Sequence, residues 1–314
     1  PKYSLITVNG IELPSTGTED RSVDLSLVSS NMLDGIILRK TNTPDMDADV
    51  LGGTVELKLK EAQPGPRLSL SAQGGYNRLQ DYYGNYNFTV SLSNRFFDDR
   101  LGIIVNGNVD NYDRSADKLQ DNWRRYNKLI ASGQIYLREE QLNRKRSGAS
   151  ILGDLIIPDG KITANAFFNQ LNSKGLNHIS QVNTLENGWG TNRHIYQTEQ
   201  YKSVTDIYTS ALGINQDLSW IRYDASISRS GTATSDPDKR VYEFTQEQSA
   251  LLPGYPIGVS PVQVAKFYNA DTITTNMSAL YSYSTRTIEN ISSAKLNFEI
   301  PYKLNNQLSG YLIS

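Results

Sequence analysis

The stretch Arg21–Lys60, RSVDLSLVSSNMLDGIILRKTNTPDMDADVLGGTVELKLK, divides two kinds of sequence and decides how each is read. A polar turn, Thr18, Glu19 and Asp20, leads into it, and Val23, Leu25, Leu27 and Val28 form a short apolar segment suited to capping a small domain. Gly35 to Lys40 reads as a strand. Pro44 restricts Thr43 to extended geometry, and Asp45, Asp47 and Asp49 are turn formers that ask for water or local amides. Gly52 and Gly53 let the backbone bend. Thr54 to Lys60 then alternates, Val55, Leu57 and Leu59 on one face and Glu56, Lys58 and Lys60 on the other. Two strands joined by an acidic, glycine-ended loop make one compact β unit. Arg21 beside Asp20 and Asp24 reads either as a fixed salt bridge within that unit or as a solvated charge.

Composition sets outer limits. The chain has 314 residues, 19 Tyr against 8 Phe and 3 Trp, a formal charge of −2 and no Cys. The aromatic, polar makeup favours strands. The near-neutral charge leaves no general nucleic-acid footprint, and the lack of Cys excludes a disulfide scaffold and thiolate metal sites. There is no run of about 18 apolar residues, so a transmembrane helix is not available; barrel strands, with about ten residues of alternation each, remain so. The chain opens at Pro1 without a signal-peptide pattern and reads as part of a longer precursor.

The run VNGIELPSTGTEDRSVDLSLVSS followed by GIILRKTNTPDMDADVLGGTVELKLK resembles the second half of the plug domain of TonB-dependent outer-membrane receptors. The likeness is nearest to the variant that reads "DRSVDLS…TPDMDADA.GGTV", with Val50 here where that variant has Ala, and it covers about the first fifth of the chain. It implies a plug-structural set: Arg21, Asp24, Pro44, Asp45, Asp47, Asp49, Gly52 and Gly53. It also implies active uptake of a scarce nutrient across the outer membrane of a Gram-negative bacterium, with lipid and lipopolysaccharide around the barrel. A TonB-type energy-transducing protein would pull on a segment missing from this chain.

Outside the resemblance, Asn9-Gly10 is a hairpin signal, and Gln63-Pro64-Gly65-Pro66 interrupts every pattern. The expected division is therefore 1–62 as the C-terminal part of a plug, 63–66 as linker and 67–314 as the first part of a barrel. Nine strands are expected there, over 67–77, 86–96, 101–109, 136–157, 161–169, 195–214, 220–230, 288–302 and from 307 onward. Phe88, Val90, Ile103 and Phe298 lie on their apolar rows. Short turns at Asp98-Asp99, Pro158–Gly160, Gln216-Asp217 and Asn305-Asn306 alternate with long polar excursions over 113–128, 171–193 and 232–286. Phe96, Phe97, Trp220 and Tyr302 sit beside the short turns, as an interfacial girdle does. The expected fold class is an all-β membrane protein, a small α+β plug followed by antiparallel transmembrane strands of an incomplete barrel.

No catalytic motif stands out, and no enzyme activity, cofactor or metal is expected. Asp45, Asp47, Asp49 and Glu56 imitate a calcium loop, but the position that needs Gly holds Val50. His178 and His194 read as exposed loop residues. Trp123, Tyr126, Trp189, Tyr255 and Tyr268 fall in the long excursions, where aromatics contact ligands or hold loops together. A plug seated by polar contacts in a hydrophilic bore is expected to shift at low cost, because water replaces each broken bond. The cargo, whether siderophore, cobalamin, oligosaccharide or peptide, is open. Two rivals stand beside this reading: a surface β-sandwich adhesin, and a plugged outer-membrane channel not driven by TonB.

Overall fold

The computed structural model describes residues 5–16, 22–40, 53–126, 128–184, 193–246, 251, 258–305 and 308–313, with backbone alone for 126, 302–305 and 308–313. Arg21, Pro44, Asp45, Asp47, Asp49, Gly52, Trp189 and Tyr255 lie outside the described residues.

Two sheets carry the fold. The first is four-stranded, in the order β2-β1-β4-β3, with β1 Leu5–Val8, β2 Ile11–Glu12, β3 Leu33–Arg39 and β4 Thr54–Leu59. Asn9 and Gly10 both take positive φ, 47° and 78°, the geometry that closes a two-residue hairpin with the right twist. β3 and β4 pair antiparallel, while β1 pairs with β4 in parallel. Two single-turn 3-10 helices, Leu25–Leu27 and Ser30–Met32, bury Leu27 and Met32 beneath the sheet.

The second sheet is one continuous antiparallel wall: β5 Arg67–Asn77, β6 Tyr82–Phe96, β7 Leu101–Asp113, β8 Ala116–Tyr126, β9 Leu129–Ile157, β10 Gly160–Asn183, β11 Arg193–Leu218, β12 Ile221–Gln246, β13 Thr275–Asn305 and β14 Leu308–Ile313. A short helix, α1 Pro261–Ala265, sits in the β12–β13 connection. Neighbouring strands pair in sequence order from β14 to β9, then β7, β6 and β5, with β8 paired to β9 beyond the end of β7. The wall is open, with β5 and β14 at its edges. This is the all-β, barrel-type architecture, and no helix among the described residues is long and apolar enough to cross a membrane.

Alternation divides the wall into two faces. One face meets the small sheet; it carries Ile104, Asn106, Asp110, Ser150, Leu152, Phe167, Asn169, Ile207, Ser230 and Thr232, all buried. The other is apolar near the short turns and uncovered: Leu68 is 62% exposed, Phe88 44%, Ile227 60% and Leu296 64%. No second sheet stacks on this row among the described residues, as a sandwich requires. Phe96, Phe97 and Trp220 are exposed beside the turns.

Three expectations are corrected. The excursions over 113–128 and 171–193 are largely strand, and so are both ends of that over 232–286: β8 was hidden in the first, β10 runs on to Asn183, β12 to Gln246, and β13 starts at Thr275, so among the described residues ten strands follow residue 66 instead of nine. β9 alone has 29 residues where about 9–11 suffice to cross a bilayer. Beyond that span polar and charged residues interrupt both faces, and backbone pairing continues without a regular apolar alternation to mark it, although Ile135 and Val182 are buried with Leu251 and Val264 in a second small cluster. The turn expected at Gln216-Asp217 lies at Ser219-Trp220, because both residues still pair, Gln216 with Gly160 and Tyr223 and Asp217 with Arg222.

Gly53 has φ +91°, and a Cβ there would lie 2.4 Å from the Arg39 carbonyl oxygen, whereas a Cβ on Gly10 meets nothing within 4 Å. Gly53→Ala is therefore expected to cost about 1–3 kcal/mol of stability and Gly10→Ala only about 1 kcal/mol. Denaturant midpoints of the two variants check this; equal midpoints would remove the close approach as the reason for the glycine.

Candidate functional site

The small sheet cannot bury its own apolar face. Ile6, Val8, Leu13, Leu27, Val28, Met32, Leu57, Leu59 and Ala62 instead share one buried cluster with Ile104, Leu152, Phe167, Leu171 and Ile207 of the wall. This corrects the expectation of a purely polar seat: the contact has a dry centre, where each large side chain removed from water stabilises by roughly 1.5–3 kcal/mol.

Polar contacts surround that centre, and three wall arginines dominate them. Arg95 is held by Asp154 at 2.5 Å, both side chains only 8% exposed, and donates from Nε to the Ala62 carbonyl at 2.8 Å, where the chain leaves the small sheet. Gly102 makes room for this: a Cβ there would stand 2.4 Å from Asp154 Oδ1 and 2.9 Å from Ala62. Arg146 is anchored by Asp110 at 2.6 Å and donates to the Ser26 carbonyl. Arg144 pairs with Asp24 at 2.6 Å and reaches the Ser26 hydroxyl at 3.3 Å. Arg144 and Arg146 share a face because they are two apart on β9, so both grip the same 3-10 turn.

On the other side, β12 and β13 hold the β1–β2 hairpin and the segment after it. Ser230 donates to the Glu12 carbonyl at 2.9 Å and Thr232 to the Ser15 carbonyl at 2.6 Å. The Ser15 amide donates to Glu289 at 3.0 Å, and Lys295 reaches the Gly10 carbonyl. Lys161 pairs with Glu61 at 2.7 Å. Glu56 is occupied by Arg39 at 3.2 Å within the small sheet.

Of the sequence-derived residues, Asp24 reaches a wall arginine and Gly53 makes the tight bend. Trp123 is exposed, on strand β8 instead of a loop; Tyr126 ends the same strand. Tyr268 packs against the wall: its hydroxyl bonds that of Tyr196, and its ring meets His194 edge-on at 4.6 Å. His178 and His194 are on β10 and β11, not in a loop. His194 is fully buried, with its Nε2 2.6 Å from the Ser180 hydroxyl. Arg144, Arg146 and Asp154 escaped the sequence reading because their partners lie tens of residues away, 120 for Arg144 with Asp24 and for Arg146 with Ser26.

Burial pushes the Asp24 carboxyl up, but the Ser26 hydroxyl and amide and the Arg144 guanidinium outweigh it, leaving the pKa below its ordinary value of 3.8. Its grip is thus present above that value and lost as pH falls through the lowered one. Arg95→Met leaves Asp154 buried without its partner and is expected to cost about 3–5 kcal/mol, and Phe167→Ala about as much, whereas Asp24→Asn costs no more than about 1 kcal/mol at neutral pH. Protease cleavage at 63–66 along a urea series reads the release of the small sheet; an Asp24 variant as damaging as Arg95→Met would overturn this ranking.

No protein-family model matches the chain, and no curated protein matches it. Among solved structures, a variant of the ferric enterobactin receptor PfeA of Pseudomonas aeruginosa, in complex with enterobactin, is similar over 98% of this chain and 53% of its own, at 11% identity and a TM-score of 0.41. BauA, the ferric preacinetobactin receptor of Acinetobacter baumannii, is similar over 99% and 52%, at 12% identity and a TM-score of 0.33. The ferric citrate transporter FecA, unliganded, is similar over 97% and 52%, at 10% identity and a TM-score of 0.31. The chain spans about half the length of these proteins. In fold it is similar to part of a TonB-dependent outer-membrane receptor.

Proposed function

We propose that the chain is part of a receptor that takes up a scarce nutrient across the outer membrane of a Gram-negative bacterium, driven by a TonB-type partner. In this reading residues 1–62 are the C-terminal part of the plug, 63–66 the linker and 67–314 barrel wall. One observation carries it: the same strands present an uncovered apolar row on one side and, on the other, a small β unit held by arginines. An adhesin sandwich has no use for such a row without a second sheet to cover it.

The geometry suggests how the plug yields. The bonds to the Ser15 and Glu12 carbonyls are ones that water replaces at modest net cost, about 0.5–1.5 kcal/mol each, and the charged Arg146 bond to the Ser26 carbonyl costs about 1.5–3 kcal/mol. The centre around Leu27, Met32, Leu57 and Phe167 has no such substitute. A pull therefore frees the polar fringe first. Plug residues Arg21, Pro44, Asp45, Asp47, Asp49 and Gly52, and the aromatics Trp123, Tyr126, Trp189, Tyr255 and Tyr268 as cargo contacts, belong to this proposal.

Ferric siderophores, named for the similar structures, are the first probes. Energised cells carrying the full-length receptor are expected to accumulate the labelled chelate, to stop on collapse of the inner-membrane proton gradient, and to slow several-fold with Gly53→Val. Uptake that survives the uncoupler would favour the undriven channel, and a receptor soluble without detergent would favour the adhesin.

A further inference from the structure

The β12–β13 connection lies against the wall at the end away from the short turns, on the face turned away from the small sheet. Pairing runs unbroken from β9 to β10 and from β10 to β11, so Ile135, Val182 and His194, which lie in register, share the face of Phe168. Leu251 and α1 cover them. Leu251 and Val264 form a buried cluster with Ile135 and Val182, and Val259, Phe267 and Tyr268 pack against it. Gln246, in register with His194 on β12, is fully buried and ties down the far end of the connection. Its Nε2 donates to the Asn269 carbonyl at 3.0 Å, and its Oε1 accepts from the Asp271 amide at 3.2 Å.

His194 is sealed beneath this segment, its ring 3.8 Å from that of Tyr196 and 4.6 Å from that of Tyr268. Nε2 meets the Ser180 hydroxyl, but Nδ1 is buried without a hydrogen-bond partner. A neutral ring tolerates this, since the bare nitrogen merely lacks a donor. A protonated ring does not, because it would hold an N–H with no acceptor and a charge away from water. The groups around it offer no relief. Ser180 and Val182 from β10 and Gln246 from β12 are neutral, and burial pushes the Tyr268 hydroxyl further up, so that it keeps its proton. His178, further along β10, is bonded to Thr198, and Arg193 alternates to the opposite face. Asp271 spends its carboxylate on the Ile273 amide and the Thr274 hydroxyl, and Lys266 brings only a like charge. Burial accordingly pushes the His194 imidazole down to about 4 from 6.5. The ring stands clear of any bilayer-crossing stretch: it is the second residue of the 26-residue β11, whose other end carries the short turn.

We propose that residues 258–271 are a strap latched to the outer face of the wall at neutral pH and released by acid, with His194 as the latch. Once freed, the ring titrates at its ordinary 6.5, so closure is fully favoured above that pH. It weakens about tenfold per unit as pH falls from there toward about 4, and no further below. Release uncovers Ile135 and Val182 and so enlarges the exposed apolar pair Leu119 and Leu137, which stand opposite each other on β8 and β9.

Hydrogen exchange of the full-length receptor in detergent, corrected for the pH dependence of the intrinsic rate, tests this. The amides of Val264, Phe267 and Tyr268, bonded within the strap, and that of Asp271, bonded to Gln246, are the reporters. Their protection is expected to drop about twentyfold from pH 7 to pH 5 while that of β10 holds. H194Q, which keeps a neutral donor for Ser180, should hold the strap equally at both values; H178Q, removing the exposed histidine of β10, should keep the drop. An undiminished drop in H194Q, its disappearance in H178Q, or a flat profile in the unaltered protein would each overturn the latch. Where H194Q leaves the strap open at both values, the unaltered protein decides between pH 6 and pH 5: about tenfold, one proton, supports the latch, and about a hundredfold, two protons, overturns it.

Discussion

The pairing register of the long strands is the constraint on which every face of this protein depends. A slip of one residue between β9 and β10 would carry Phe168 and Lys174 inward and turn Phe167 and Asn169 out. Phe167 would leave the apolar centre under the small sheet, and Gln170 or Asn172 would take the place of Leu171 in it. The register is held by continuous pairing from Gly160 with Ile157 to Asn183 with Gln134, closed at one end by the Pro158-Asp159 turn, where Asp159 adopts φ 56°.

With the faces set, the small sheet and the wall complete one another. The sheet lacks enough chain to bury Leu27, Met32 and Leu57 by itself, and the wall has Phe167, Leu171 and Ile207 facing inward with nothing of its own to cover them. The polar ring adds orientation. Arg95 and Arg146 are each pinned by a wall carboxylate before they reach a carbonyl of the small sheet, so their donors are aimed in advance. An interface with a dry centre and a wet fringe holds position at rest yet gives way along its edge.

Much of this was legible along the chain. Asn9-Gly10, the alternation of Val55, Leu57 and Leu59, the rows through Leu68, Phe88 and Leu296, and the Pro158-Asp159-Gly160 turn are local patterns with local causes. Strand extent was not, because in Ala116–Tyr126 and the outer halves of β10, β12 and β13 polar and charged residues interrupt the apolar alternation on both faces. His194 was misread for a related reason: the rings of Tyr196 on its own strand and of Tyr268, from the β12–β13 connection, pack against it.

By itself the amino-acid sequence determined which residues face together, where the chain turns and where Gly53 must bend, since these follow from side-chain period and backbone sterics within a few positions. Only the tertiary structure decided that Arg95 meets Ala62, that Arg144 takes Asp24, and that Tyr268 packs on His194. Those meetings join residues tens to more than a hundred positions apart, and no local preference selects one distant partner among many; the pairing of whole strands does.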